Sequence, residues 1–359
     1  MISWEPINFG PEGREPIPKQ FSPLVMVGTC WLMLTLGVIG ALTAGRPMSE
    51  HLLPFVLGML IVGLPHGAAD HLLLWGLGRD DSARSRTIGL LGYVGLALVY
   101  LALWAIMPVM AAGIFLGITM YHWGQGDLYC TVRLHGARYL ERSATLAWLH
   151  TLLRGSIPLA VPAVMHQDFV AAFIIRMSGD STHWLSTLAV QPAWQSVAIG
   201  IWCVLVVAYF GGVLRRHQAG ESWAMLVDAL EMAGLTLFFV MVPPEWAVGC
   251  YFLVWHSARH AMRILWLDRK GVEGTQARLF WSLTTRWLKL TTCMTVVALS
   301  AAGIFVLHKL TAGESTLDIF VSGIVLISVV TLPHTVVVYF MDRRQIFRGA
   351  EDGRRPVQG

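Results

Sequence analysis

Apolar stretches long enough to cross a bilayer follow one another through most of the chain, which leaves room for little but a membrane helix bundle. About 20 consecutive apolar residues span a hydrocarbon core. Applied to all 359 residues, that measure predicts an all-α, polytopic bundle of ten transmembrane helices. They fall near 23–44, 52–77, 87–107, 108–128, 145–165, 193–213, 224–242, 247–266, 287–308 and 317–341. Pro108 divides the third from the fourth. The composition agrees, with 55% hydrophobic and 13% charged residues, against about 25% charged in a soluble domain.

Loop charge orients the bundle. With the N-terminus in the cytoplasm, the inner segments hold 19 of the 26 Lys and Arg, and the outer ones only Arg46, Arg176 and Lys309. Basic residues accumulate on the cytoplasmic side of membrane proteins, so both termini are expected there, in a cell inner (plasma) membrane. Three parts follow: a polar cytoplasmic segment 1–22, a single helical domain 23–341 and a basic cytoplasmic tail 342–359. The first segment lacks the basic-then-apolar pattern of a cleaved signal, so the first apolar stretch is expected to persist as a helix. No basic run interleaved with aromatics suggests nucleic-acid binding. The five cysteines are scattered, without a CxxC pair, which argues against a zinc site or a disulfide framework.

Against this apolar background a few polar motifs stand out. "VGLPHGAADHLL" places His66, Asp70 and His71 in the second helix. "YHWGQGD" places His122 and Asp127 in the fourth, "FLVWHSARH" places His256 and His260 in the eighth, and "LPHTVVVYFMD" places His334 in the tenth. Ionisable residues inside a membrane are costly and by default face the bundle interior with a function. These four helices share one predicted direction. Counted from their inner ends at about 1.5 Å per residue, His66, His122, His256, His260 and His334 fall within a slab about 7–8 Å deep. His256 and His260 are four residues apart, on one helical face. Asp70 and Asp127 are available to accept the second ring N–H of a metal-bound histidine. Pro65, Gly67, Gly124 and Gly126 loosen the helices or admit close backbone approach. His71, on the far face, reads as a structural residue. Arg259 needs a carboxylate or carbonyl partner, whereas Arg263 is expected to snorkel to the inner surface. His51, His135, His150, His166, His183, His217 and His308 lie near loops or helix ends and call for no special role.

Neutral imidazoles without thiolate suit iron, copper or zinc. The boxes of membrane desaturases (HxxHH) and zinc proteases (HExxH) are absent from the sequence. A pair on one helix fits a bis-histidine haem poorly. Non-haem iron is the best reading, with a histidine-lined transporter and a haem electron-transfer protein as rivals.

"LPHGAADH", "YHWGQGD", "FLVWHSARH" and "LPHTVVVYFMD", in this order, resemble the Brp/Blh family of membrane β-carotene 15,15′-dioxygenases associated with microbial rhodopsins, over roughly residues 50–345. The resemblance implies an Fe(2+) enzyme that adds O2 across the central double bond of β-carotene, or a related carotenoid, and releases two retinals. It carries the iron ligands onto His66, His122, His256 and His260, and leaves His334 outside them, so that His334→Ala is expected to keep the metal. It also implies a lipid-supplied substrate tunnel, for which Trp75, Tyr121, Trp123, Phe252, Trp255 and Tyr339 are candidates, and a microbial rhodopsin as consumer of the retinal. The motifs leave another carotenoid or lipid open as substrate.

Overall fold

The computed structural model describes residues 22–77, 82–179, 192–267 and 276–343. The polar segment 1–22, except Ser22, and the tail 342–359 beyond Arg343 lie outside the described residues. Among the described residues the regular structure is helical, with no strand. Helix α1 is Ser22–Leu42. Helix α2 is segmented into Met48–His51, Leu53–Gly58, a π-helical turn Met59–Gly63, Leu64–Ala68 and Asp70–Leu77. There follow α3 (Ala83–Ile106), α4 (Pro108–Arg133), α5 (Ala144–Met165), α6 (Gln167–Ser178), α7 (Pro192–Arg216) and α8 (Ser222–Met241). Helix α9 joins Pro244–Cys250, a π-helical stretch Tyr251–Ser257 and Ala258–Leu267, before α10 (Gln276–Thr311) and α11 (Thr316–Asp342). Each of the ten predicted stretches is thus helical.

Crossing a membrane is a narrower matter. Among the described residues six helices are long and apolar enough for it, in α2, α3, α7, α8, α10 and α11, or seven if α5 and α6 together count as one bent span. The polar residues of α4 and α9 make those two less apolar than these six. Helix α6 was not expected. Its 12 residues are too short to span, and it folds back from α5 at 111°. The turn comes at His166, after Pro158 and Pro162.

Side-chain pairings fix the directions of the inner helices. From α2 to α11 they ascend together: Phe55 meets Phe320, His66 meets His334, and Leu72 and Leu73 cluster with Val337 and Val338. From α2 to α9, His51 meets Glu245 and His66 meets His260. From α4 to α9, Trp123 meets Tyr251 and Tyr129 meets Arg263. Helices α2, α4, α9 and α11 therefore run parallel, as the common direction of their motifs predicted. Parallel neighbours cannot be joined by tight turns, so intervening helices must carry the chain back. Helices α3, α7 and α10 lie at the outside and turn apolar side chains outward, among them Leu91, Val99, Val204, Val207, Ile304 and Leu307.

Helix α5 packs against α4 with the backbones almost touching. A Cβ at Gly124 would stand 1.8 Å from the Thr151 carbonyl oxygen, and one at Gly155 would stand 1.7 Å from that of Met120. The crossing is reciprocal and needs glycine on both sides, the small-residue contact by which membrane helices gain van der Waals packing. Gly249 makes a similar approach of α9 to α2, where a Cβ would stand 2.4 Å from the Phe55 nitrogen. Backbone cannot yield as a flexible side chain does, so Gly124→Ala or Gly155→Ala should exceed the usual overpacking cost of about 1–3 kcal/mol. The expected result is loss of a monodisperse, cooperatively melting species in detergent. Gly89→Ala, with nothing within 4 Å, should leave the melting temperature unchanged or raise it.

Candidate metal centre

The four parallel helices bring five imidazoles together. His66, His256, His122 and His334 form a ring of neighbours, with centroid separations of 6.0, 4.8, 4.8 and 5.0 Å in that order. His260 packs against all four, at 5.4 Å from His66, 6.3 Å from His256, 6.1 Å from His122 and 5.4 Å from His334. All five are buried. The local sequence explains the placing. The π-helical turn Met59–Gly63 precedes His66 and the π-helical stretch Tyr251–Ser257 contains His256; such wide turns recur at functional sites, where they re-aim side chains. Gly126 faces His256, and a Cβ there would lie 3.6 Å from its Nδ1.

The hydrogen-bonding of these rings is incomplete in a telling way. His66 Nδ1 lies 3.1 Å from the Val62 carbonyl oxygen. His334 Nδ1 lies 2.8 and 2.9 Å from the two carboxylate oxygens of Asp70, and the Tyr93 hydroxyl donates to the same carboxylate at 2.8 Å. By contrast, both ring nitrogens of His122, Nε2 of His260 and Nε2 of His334 are buried without a hydrogen-bond partner. Buried polar atoms left unpaired cost about 1–3 kcal/mol each, and an ion is one established explanation. The donors present are neutral nitrogens, which suit a borderline transition metal. As the side chains stand, the nitrogens do not share one focus: among the described residues no three His, Cys, Asp or Glu donors form a finished cage.

Asp70 and Asp127 part ways here. Asp70 orients a histidine as expected, though it serves His334 across the interface rather than His66 four residues before it. Asp127 contacts no histidine of the cluster. It accepts from Trp255 Nε1 at 2.9 Å and pairs with Arg154 at 3.1 Å. Glu231 of α8 takes both Arg154 and, at 2.9 Å, Arg259, so Arg259 has the carboxylate partner it needs. The Arg259 guanidinium also lies 3.5 Å over the Trp255 ring. Arg263 departs from expectation: it is buried rather than snorkelling, paired with Asp342 and stacked 3.8 Å over Tyr129. His135 and His150 also join this network, facing Glu231 and Asp228 at 3.6 and 3.3 Å. Arg154, Asp228 and Glu231 escaped notice as site residues because their partners lie on other helices, which spacing along one helix does not show.

Beside the cluster lies an apolar cavity of about 740 Å³, within the common range for small-molecule sites. His66, His122, His256 and His334 line it, and His260 does not. Of the aromatic candidates, Trp123 and Phe252 line it. The other four stand elsewhere. Trp75 packs with His71 and Arg86, Tyr121 stacks on Trp148, Trp255 belongs to the charged network, and Tyr339 is exposed beside Phe340. Residues not anticipated complete the walls, notably Phe55, Met59, Phe115 and Phe320, with Phe169 and Phe173 from the unexpected α6. His71 bonds to the Ala68 carbonyl oxygen at 2.8 Å, outside the cluster.

Residues 57–342 match the model of the family described as beta-carotene 15,15′-dioxygenase. The probable beta-carotene 15,15′-dioxygenase Blh of Halobacterium salinarum is 34% identical over 333 residues, which cover 88% of this chain and 91% of the relative. The probable beta-carotene 15,15′-dioxygenase Brp of the same organism is 27% identical, covering 80% and 83%. The beta-carotene 15,15′-dioxygenase of uncultured marine bacterium 66A03 is 22% identical, covering 79% and 92%. No solved structure matches the chain. With four-fifths of its length under one family model and a relative this similar along nearly the whole of both chains, the protein belongs to the β-carotene 15,15′-dioxygenase family.

Proposed function

We propose that this chain is a ten-span membrane enzyme that cleaves β-carotene at its central 15,15′ double bond with O2 and Fe(II), giving two molecules of all-trans-retinal. The observation that carries the reading is the position of the imidazoles part-way along the cavity. Its wall follows α2 from Phe55 to Leu74, with His66 between them. At 1.5 Å per residue, one arm is about 16 Å long and the other about 12 Å. A long polyene laid in it presents an interior double bond to the histidines, whereas a blind pocket would present an end. The matched relatives' names supply the substrate class.

His66, His122, His256 and His260 would hold the iron, and the partnerless nitrogens of His122 and His260 support that choice. Ferrous iron bound there would supply activation of O2. The chain's own residues do the rest. Phe252, its ring 6.1 Å from His256, and Trp123, 6.2 Å from the same ring, wall the reacting bond from water. Gly67, with nothing within 4 Å of where a Cβ would be, leaves room beside His66. The balance is simple: the carbon–carbon double bond and the O–O bond break, and each carbonyl carbon takes one oxygen atom. No proton or external electron is consumed. Carotene and O2 both partition into lipid, so supply is lateral, from a plasma membrane in which both termini face the cytoplasm. A microbial rhodopsin would be a natural consumer of the retinal.

Expression in a β-carotene-producing bacterium should bleach the cells and accumulate retinal, provided iron and O2 are supplied. Orange cells containing folded protein in their membranes would overturn the assignment. In purified protein, His256→Ala or His260→Ala should abolish stoichiometric iron measured by elemental analysis, with helical content by circular dichroism unchanged; full iron in either variant would remove that residue from the ligand set.

A further inference from the structure

We propose that His334 is a fifth ligand of the same metal, fixed in orientation by Asp70 and Tyr93, and that the cluster is approached from the apolar cavity, which His260 does not border. The proposal rests on reading the cluster as a metal centre, and adds to it a residue, a support and a direction.

The ring positions carry the first part. With nitrogen about 2.1 Å from a metal, ring centroids stand about 3.2 Å from it, so adjacent ligands are about 4.6–5.3 Å apart and opposed ones about 6.5 Å. His334 lies 4.8 Å from His122, 5.0 Å from His66 and 5.4 Å from His260. Two of these fall in the range for adjacent ligands and the third lies at its edge. His256, whose closest contact is 4.8 Å from His122, stands 6.0 and 6.3 Å from His66 and His260. By position, His334 has the better claim of the two.

Hydrogen bonding carries the second part. His334 Nδ1 is engaged by both carboxylate oxygens of Asp70. Nε2, the other ring nitrogen, is buried and without a hydrogen-bond partner. A metal-bound histidine holds its second N–H on a carboxylate or carbonyl, which fixes tautomer and ring angle. Tyr93, reaching from α3, orients the carboxylate in turn. His66 shows the same device with the Val62 carbonyl.

The cavity carries the third part. His66, His256, His122 and His334 border it, while His260 touches all four from the side of a small recess shared with Arg259, Arg263 and Cys130. The four imidazoles that border the cavity thus form the side of the cluster that a polyene could reach.

Metal binding tests this without reference to turnover. Full-length protein in detergent would be titrated with Fe(II) anaerobically against a competing chelator, and loaded with Co(II) for visible spectroscopy. Wild type should give the weak bands of five-coordinate Co(II). His334→Ala should bind Fe(II) at least 10-fold more weakly and give the stronger bands of four-coordinate Co(II), with added imidazole restoring the wild-type spectrum. Asp70→Asn should weaken Fe(II) binding about 10–100-fold, the range for such supporting groups, with partial recovery in Asp70→Glu and a smaller loss in Tyr93→Phe. Unchanged affinity and spectrum in folded His334→Ala would overturn the proposal; should that variant not fold, the same result in the near-isosteric Asp70→Asn would do so. Protein that shows these metal effects yet leaves β-carotene intact would overturn the carotene assignment and leave His334 in place.

Discussion

Hydrocarbon offers no partner to an imidazole, a carboxylate or a guanidinium, and this bundle is arranged around that deficit. A charged residue at the middle of a membrane helix costs about 2.5–3.5 kcal/mol on insertion scales. Here such residues are withdrawn from lipid and matched with one another. Arg154 of α5 meets Asp127 of α4 and Glu231 of α8; Arg259 of α9 meets Glu231; Arg263 of α9 meets Asp342 of α11. Each pair joins two helices, so pairing also sets which helices are neighbours. Removing one partner from such a buried pair leaves a charge uncompensated, at about 3–5 kcal/mol. Polar residues that would weaken any one helix in isolation thus become cross-links of the assembled bundle.

The parallel arrangement of the four histidine-bearing helices has its own cost. Each needs a return path, and the returning chain must not separate helices that share the site. Helices α3, α7 and α10 meet this by running outside. Helix α5 cannot, because Arg154 belongs inside, so it is drawn against α4 until Gly124 and Gly155 touch backbone. Closeness there leaves room elsewhere, for the cavity that α6 folds back to line with Phe169 and Phe173.

Much of this was legible in the residues. Helix positions followed from apolar length, and the meeting of His66, His122, His256 and His260 followed from equal depth on helices of one direction. Pairing between helices was not legible. Asp70 lies one turn from His66, and periodicity correctly puts both on the inward side, yet its acceptor atoms reach His334, 264 residues away. Arg263, near a helix end, looked free to snorkel because nothing in its own segment marks Asp342 as a partner. Trp255 looked like a tunnel wall because it precedes His256; the π-helical stretch instead turns its indole to Asp127. Helix α6 is too short for a rule built on membrane thickness. In each case the missing quantity is a rotation or a contact fixed by a second helix, which no single-helix pattern contains.

The cluster therefore has two unlike faces, and the difference between them bears on how a site in lipid can be rigid and accessible together. On the cavity side the walls are mostly apolar, Phe, Met, Leu and Ile prominent among them, and these exclude water and impose little direction on what lies against them. On the other side Trp255 is clamped, its Nε1 on Asp127 and its face 3.5 Å from the Arg259 guanidinium, in the same α9 stretch that carries His256 and His260. Apolar packing alone fixes a helix against sliding poorly, because one methyl group replaces another at small cost. Directional, charge-assisted bonds do not permit that exchange. Such bonds behind the imidazoles, with the Asp70–His334 bond at the cavity wall, hold the rings in register beside a cavity whose remaining wall is largely apolar.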